Sequence, residues 1–165
     1  MQAKEPFQTE TDYLKESPAR DVHTRERGLK LNNNAGFSLK DYIVKKILLI
    51  DDSMTQLINA RITLQRAGYQ VEIVADPLQA IDKIKEVSPD LVLTDLNMPN
   101  LDGIGVIKAI RQLEQFSRIP VLVMSTDSQK HKFQEARDAG ANGWLMKPVK
   151  QNALLGVIAK LLTKD

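Results

Sequence analysis

With 165 residues and a formal net charge of +2, the chain is long enough for one domain with a sizeable core plus a tail, and too near neutrality for a dedicated nucleic-acid binder. It contains no cysteine, which excludes a disulfide scaffold, thiol catalysis and Cys-ligated zinc. No apolar stretch approaches the ~18 residues of a membrane span, and the polar, charged N-terminus lacks a signal-peptide core, so a soluble, cytoplasmic protein is expected.

Residues 1–43 differ from the rest. They hold seven Lys or Arg, seven Asp or Glu and few apolar side chains, and include the turn-prone run Asn32-Asn33-Asn34-Ala35-Gly36. Such a segment cannot bury enough surface to offset its ordering entropy, so a flexible N-terminal extension is expected. A short helix over 39–44 is signalled by the spacing of Ser38 and Asp41. The extension reads either as a passive tail or cloning remnant, or as a docking or autoregulatory segment. As a coil of ~40 residues it would span roughly 35 Å, enough to reach the acidic strand ends of the folded part or a second chain.

Residues 44–165 alternate strand and helix five times. The first strand, 44–50, is followed by a helix from Ser53 whose apolar positions include Met54, Leu57, Ile58, Ile62 and Leu64, closed by Ala67 and Gly68. The second strand, 71–74, precedes a helix opened by Pro77 and carrying Ile81, Ile84 and Val87. The third strand, 91–94, runs into Asp95 and a turn, after which a helix from Gly103 places Val106, Ile107, Ile110 and Leu113 on one face. The fourth strand, 120–124, leads to a more polar helix over 128–139. The fifth, 142–146, leads to a final helix over 151–162 with Leu154, Leu155, Val157, Ile158, Leu161 and Leu162.

This alternation predicts right-handed βαβ units and an α/β fold with a doubly wound, five-stranded parallel sheet. Strands one, three and four are almost wholly apolar, as central strands are, whereas two and five look like edges. The common order with those edges is 2-1-3-4-5, whose ligand crevice lies between strands one and three.

Chemistry gathers at the strand ends. The first strand ends in Asp51 and Asp52, the third in Asp95, the fourth in Ser125 and Thr126, and the fifth in Lys147. Parallel neighbours bring these groups to one rim. Two unit charges about 4 Å apart repel by roughly 4 kcal/mol at an effective dielectric near 20, so clustered carboxylates need a cation. Oxygen-only ligands favour Mg²⁺, and a carboxylate beside it can act as a nucleophile toward phosphorus. Each group also has a plainer reading. Asp51 and Asp52 could cap the first helix, Asp95 could form a turn before Pro99, Ser125 or Thr126 could cap, and Lys147 could be solvated. Asp102 is assigned to turn chemistry with Gly103.

Four runs carry a resemblance: Ile47-Leu48-Leu49-Ile50-Asp51-Asp52-Ser53, the stretch 90–103 around Asp95, Pro120-Val121-Leu122-Val123-Met124-Ser125, and Gly143-Trp144-Leu145-Met146-Lys147-Pro148. Together, in this order and strand context, they resemble the signatures of the response-regulator receiver domain, and more particularly its stand-alone chemotaxis-type members. The resemblance implies a flavodoxin-like fold over about 44–163. It implies that Asp95 accepts a phosphoryl group from a histidine kinase or phosphotransfer protein, with Mg²⁺ held by Asp51, Asp52, Asp95 and the Asn97 backbone carbonyl. Ser125 matches the switch hydroxyl and Lys147 the phosphate-neutralising lysine, with Lys147-Pro148 the customary cis peptide. Trp144 occupies the switch-aromatic position, where Tyr or Phe is more frequent, though it could also be plain core packing, and Asn97 and Asp127 match positions that tune hydrolysis of the phosphoryl group. Asp127 could equally cap the next helix.

The implied output is a change on the face of helix four, strand five and helix five that binds a partner protein in chemotaxis or motility. The chain ends after its fifth helix, which favours protein–protein output over direct nucleic-acid binding, as a monomer or a phosphorylation-dependent dimer. Alternatives are a phosphorelay intermediate, a phosphate-independent binding module, and an aspartate-nucleophile phosphatase of the haloacid dehalogenase type. The last carries Asp-x-Asp on its first strand, unlike Asp51-Asp52 here.

Overall fold

The computed structural model describes residues 7–9, 12 and 43–163. Its elements, in chain order, are β1 (Gln8–Thr9), β2 (Lys46–Ile50), α1 (Met54–Arg66), β3 (Gln70–Val74), α2 (Ala80–Val87), β4 (Leu91–Asp95), α3 (Gly103–Gln112), β5 (Val121–Ser125), α4 (Lys130–Ala139), β6 (Gly143–Met146) and α5 (Gln151–Leu162). All strand pairs are parallel and the sheet order is β1-β6-β5-β4-β2-β3. The five expected strands therefore take the expected order, and β1 adds a sixth.

Side chains alternate across each strand, so each strand feeds both faces of the sheet. Leu48, Ile50, Val92, Val121 and Val123 point toward α2, α3 and α4, where they meet Ile84, Val106, Ile107 and Ala136. Ile47, Leu49, Leu91, Leu93, Leu122 and Leu145 point the other way, against Leu57 and Leu64 of α1 and Leu154, Val157, Ile158 and Leu161 of α5. Both faces are covered, which is why the central strands read as continuous apolar runs.

One expectation is corrected, one falls largely outside the described residues, and one is refined. The flexible extension includes an ordered piece: Gln8 N–H donates to the Asn142 carbonyl at 2.9 Å, and the Phe7 ring meets Phe133 edge-on with centroids 4.6 Å apart. Backbone pairing and aromatic burial hold these residues, so the fifth expected strand (β6) is not an edge. The short helix expected over 39–44 lies largely outside the described residues, and Ile43 and Val44 are exposed and non-helical. On α1, only Leu57 and Leu64 of the apolar set are fully buried, whereas Met54, Ile58 and Ile62 are 50, 45 and 42% exposed. At 3.6 residues per turn, positions 57 and 64 share one face, and 54, 58 and 62 line up on another.

At the amino ends of β5 and β6, the Arg111 guanidinium donates to the carbonyls of Gly140 (2.7 Å), Ile119 (2.8 Å) and Ser117 (3.2 Å) and to Asn142 Oδ1 (2.9 Å). Asn142 Oδ1 also accepts from the Val121 N–H. One side chain thus ties together the turns at the end of the sheet opposite the acidic residues.

Candidate functional site

Asp51 and Asp52 leave the end of β2, Asp95 ends β4, Ser125 ends β5, and Lys147 follows β6. These elements are neighbours in register, so the groups share the carboxyl rim of the sheet. Asp51, Asp52 and Asp95 each offer a carboxylate oxygen within 4.8 Å of the others. Lys147 Nζ lies 2.9 Å from Asp95 Oδ1 and 3.0 Å from Asp51 Oδ2.

Burial divides the acids. Asp51 and Asp95 are buried and Asp52 is exposed. Burial raises the Asp95 carboxyl above its usual range, with the Asp51 charge adding to the rise, while the hydrogen bond and charge of Lys147 and the Leu96 N–H oppose it. For Lys147, burial pulls downward, but hydrogen bonds to Asp95 and Asp51 outweigh it and hold the ammonium above its usual value. One cation cannot balance three acids. A hard, oxygen-preferring divalent ion fits the donor set: three carboxylates converge from two adjacent strands, with no His or Cys among them.

The plainer roles separate cleanly. Neither Asp51 nor Asp52 is the cap of α1; Ser53 is, accepting from the Gln56 N–H, while Asp51 Oδ1 accepts from the Ser53 N–H at 2.8 Å and so has its carboxylate fixed toward the rim. Asp102 caps α3 through Gly105 N–H at 2.7 Å. Asp127 accepts from Gln129 N–H at 2.8 Å in a turn ahead of α4, whose cap position is Gln129, so that helix starts at Lys130 rather than 128.

Ser125 is fully buried, and its Oγ accepts from the Asp127 N–H at 2.9 Å. Trp144 is only 4% exposed; its Nε1–H points at Met146 Sδ (3.4 Å) and its ring lies against Phe133, centroids 5.9 Å apart. Asn97 is exposed in the loop after Asp95, and the Lys147-Pro148 peptide is cis.

One residue bears directly on the site although its sequence pattern marks only a turn. A Cβ on Gly103 would stand 2.3 Å from the Asp95 carbonyl oxygen and 3.1 Å from Leu96 Cα. The Gly103 N–H donates to the Leu96 carbonyl at 2.8 Å, so the loop after Asp95 folds back flush against its backbone. The sequence signal was the pairing of Asp102 with Gly103, which marks a turn without revealing what the turn touches.

Beside the rim, a cavity of about 550 Å³ opens between α1 and the start of α5, lined by residues including Asp51, Gln56, Ala60, Lys147 and Gln151. Among the described residues, no helix is long and apolar enough to cross a membrane.

The family model of the response regulator receiver domain matches residues 47–159. The chain is 35% identical over 118 residues to the chemotaxis protein CheY of Bacillus subtilis, covering 71% of this chain and 97% of that protein. In structure it resembles the chemotaxis protein CheY4 of Vibrio cholerae with a TM-score of 0.70 at 36% identity, covering 73% of this chain and all of that one. The receiver domain of a sensor histidine kinase from Pseudomonas aeruginosa, solved with a magnesium ion coordinated in its active-site cleft, matches with a TM-score of 0.67 at 28% identity, over 73% of this chain and 98% of that one.

Proposed function

Because the chain belongs to the response regulator receiver family, we propose that it is a signalling switch in which Asp95 takes a phosphoryl group from the phosphohistidine of a histidine kinase or phosphotransfer protein. The observation that carries this reading is the position of Lys147 Nζ, within 3.0 Å of both Asp95 and Asp51 at the end of the sheet where the three acids converge.

In the proposed transfer, one Asp95 carboxylate oxygen forms the new P–O bond as the P–N bond to the donor imidazole breaks. The imidazole leaves with that electron pair. Asp51, Asp52 and Asp95, with the Asn97 carbonyl, would hold Mg²⁺, which when bound offsets charge on the carboxylates and phosphoryl oxygens. Lys147 exchanges its contact with Asp95 for a phosphoryl oxygen while keeping Asp51, so charge neutralisation persists through the step. The Ser125 hydroxyl, which now accepts from Asp127, has a proton to donate to a second phosphoryl oxygen.

The product carries about −1.5 to −2 charges where the carboxylate carried one, a net gain of up to about one negative charge beside β5. Ser125 is drawn toward them, and Trp144 two residues along the paired strand repacks against Phe133. Because Trp144 is already buried, the response is a repacking of the α4, β6 and α5 face rather than a swing from solvent. That face then binds a partner protein. The likeness to chemotaxis proteins supports a chemotaxis or motility output and a cytoplasmic location. A phosphorelay role is the second reading, favoured by the likeness to a receiver domain of a sensor histidine kinase.

The phosphodonor has a natural seat. Met54, Ile58 and Ile62 form an exposed apolar stripe on α1, which begins just after Asp51 and Asp52 and flanks the cavity beside Lys147. A helix laid on that stripe would bring its own histidine to the rim.

Incubation with acetyl phosphate and Mg²⁺, read by intact mass, tests the core of the reading. The native chain should gain one phosphate and Asp95→Asn none. An adduct that survives Asp95→Asn, or no adduct at all, would refute it.

A further inference from the structure

We propose that the outer edge of β6, together with Phe133 of α4, is a strand-docking groove, and that its resident occupant is the part of the chain's own N-terminal segment that carries Phe7, Gln8, Thr9 and Asp12. This segment is an intramolecular ligand that covers Trp144 and seals the sheet edge. The docking is read from contacts alone; only the identification of the covered surface as the switch face rests on the proposed function.

Strand addition accounts for the main-chain part. Gln8 pairs with Gly143 and Thr9 with Trp144 in parallel register, and the Gln8 N–H donates to the Asn142 carbonyl. Gly143 makes the approach close: a Cβ there would lie 2.9 Å from the Gln8 carbonyl oxygen, and 2.7 Å from Leu122 Cδ1 on the core side. The missing side chain thus serves the core and the incoming strand together.

Side chains add the specificity. Phe7 stands edge-on to Phe133, and Phe133 lies against Trp144, giving a continuous aromatic row from the segment to the buried indole. The strand is then ended by a reciprocal cap. Thr9 Oγ1–H donates to Asp12 Oδ2 at 2.8 Å while Asp12 N–H donates to Thr9 Oγ1 at 3.2 Å. The segment therefore has an aromatic anchor, two ladder residues and a stop.

The docking is also built to be reversible. It uses a strand of two residues, and the Gln8 side chain is carried into a buried position where its Oε1 finds no hydrogen-bond partner among the described residues. An orphaned buried acceptor weakens the seat that the aromatic row creates. An occupant without that defect would displace the segment.

The occupant is in reach of its own groove. A coil of the 36 residues that separate Thr9 from Lys46 would span roughly 30–35 Å, comparable with the width of one domain.

The chain's single tryptophan supplies the readout. In the full-length protein, Phe7→Ala and Gln8→Pro should shift Trp144 emission to the red and increase its quenching by acrylamide, because one removes the aromatic contact and the other the ladder donor. A peptide of residues 1–12 added to the Gln8→Pro chain should restore the native emission saturably, and the same peptide with Phe7→Ala should bind about tenfold more weakly or worse. Gln8→Leu should reduce quenching below native. Unchanged emission and quenching in both Phe7→Ala and Gln8→Pro would overturn the proposal. So would a concentration-dependent dimer of the native chain that Phe7→Ala abolishes, since a second copy would then be the occupant. Retention of the native cooperative melt shows that the variants fold. The phosphate adduct on Asp95 is read separately by mass, so loss of either conclusion leaves the other standing.

Discussion

Lys147 Nζ stands 2.9 Å from Oδ1 of Asp95, joining the ends of β6 and β4 across the intervening β5. It is also the cation that binds Asp51, so its removal leaves three carboxylates facing one another. Its ammonium is held above the usual lysine value, and the stabilisation from that shift is complete below the unfolded pKa and fades only as pH rises through the folded one. At neutral pH it is therefore fully present. Lys147→Ala should cost about 3 kcal/mol of unfolding free energy in chelator, the scale for stranding buried charge. Saturating Mg²⁺ should recover part of that loss. Denaturation with and without Mg²⁺ measures both, and an equal loss in each would contradict the charge argument.

Asp95→Asn should behave oppositely. The Asp95 carboxyl is raised, chiefly by burial, so its contribution to stability is full below the unfolded pKa of about 3.9 and is lost as pH climbs through the folded value. Without Mg²⁺ at neutral pH, the Asn variant should melt at a higher temperature than the native chain. The gap should close as pH falls toward 4. A gap that widens on acidification would reverse the sign and count against the assignment.

Gly103→Ala places a methyl group 2.3 Å from the Asp95 carbonyl oxygen, a backbone atom that cannot swing aside. We expect a loss of about 1–3 kcal/mol from overpacking. Because the displaced atom belongs to Asp95, phosphate uptake from acetyl phosphate should also slow in the folded variant. Calorimetry together with the mass assay would detect an Ala variant that is destabilised yet reacts at the native rate, which would separate the loop from the site.

Ile58→Lys tests the seat for the phosphodonor. Ile58 is 45% exposed on α1, so folding stability should change by less than about 0.5 kcal/mol, as for ordinary surface changes. Transfer from a phosphohistidine protein should fall about tenfold, whereas uptake from acetyl phosphate should stay as in the native chain. A parallel fall with both donors would show that α1 affects the chemistry rather than docking.

The five central βα units were legible because apolar runs of strand length ended in charged or hydroxyl residues, and those ends meet wherever strands are parallel. The mixed polarity of the second and fifth strands pointed only to edges, and the order was the common one with those edges, although β1 in fact covers the fifth. Asp51, Asp95, Ser125 and Lys147 were placed by that logic, and their meeting needs no further coincidence. Other features leave no periodic trace. A two-residue strand, Gln8–Thr9, is too short to alternate, and its partner lies more than a hundred residues away in sequence. The contact of Gly103 with the Asp95 carbonyl depends on how tightly one loop closes. On α1, the apolar residues occupy two faces, and composition could not tell that only the face of Leu57 and Leu64 enters the core.

The Arg111 clasp gives the sheet a fulcrum. Its guanidinium fastens the turns entering β5 and β6 at Ile119, Gly140 and Asn142, and Asn142 is also the residue whose carbonyl receives Gln8. Because the clasp holds these strands at their amino ends, whatever freedom they retain lies at the opposite ends, where Ser125 and Lys147 sit.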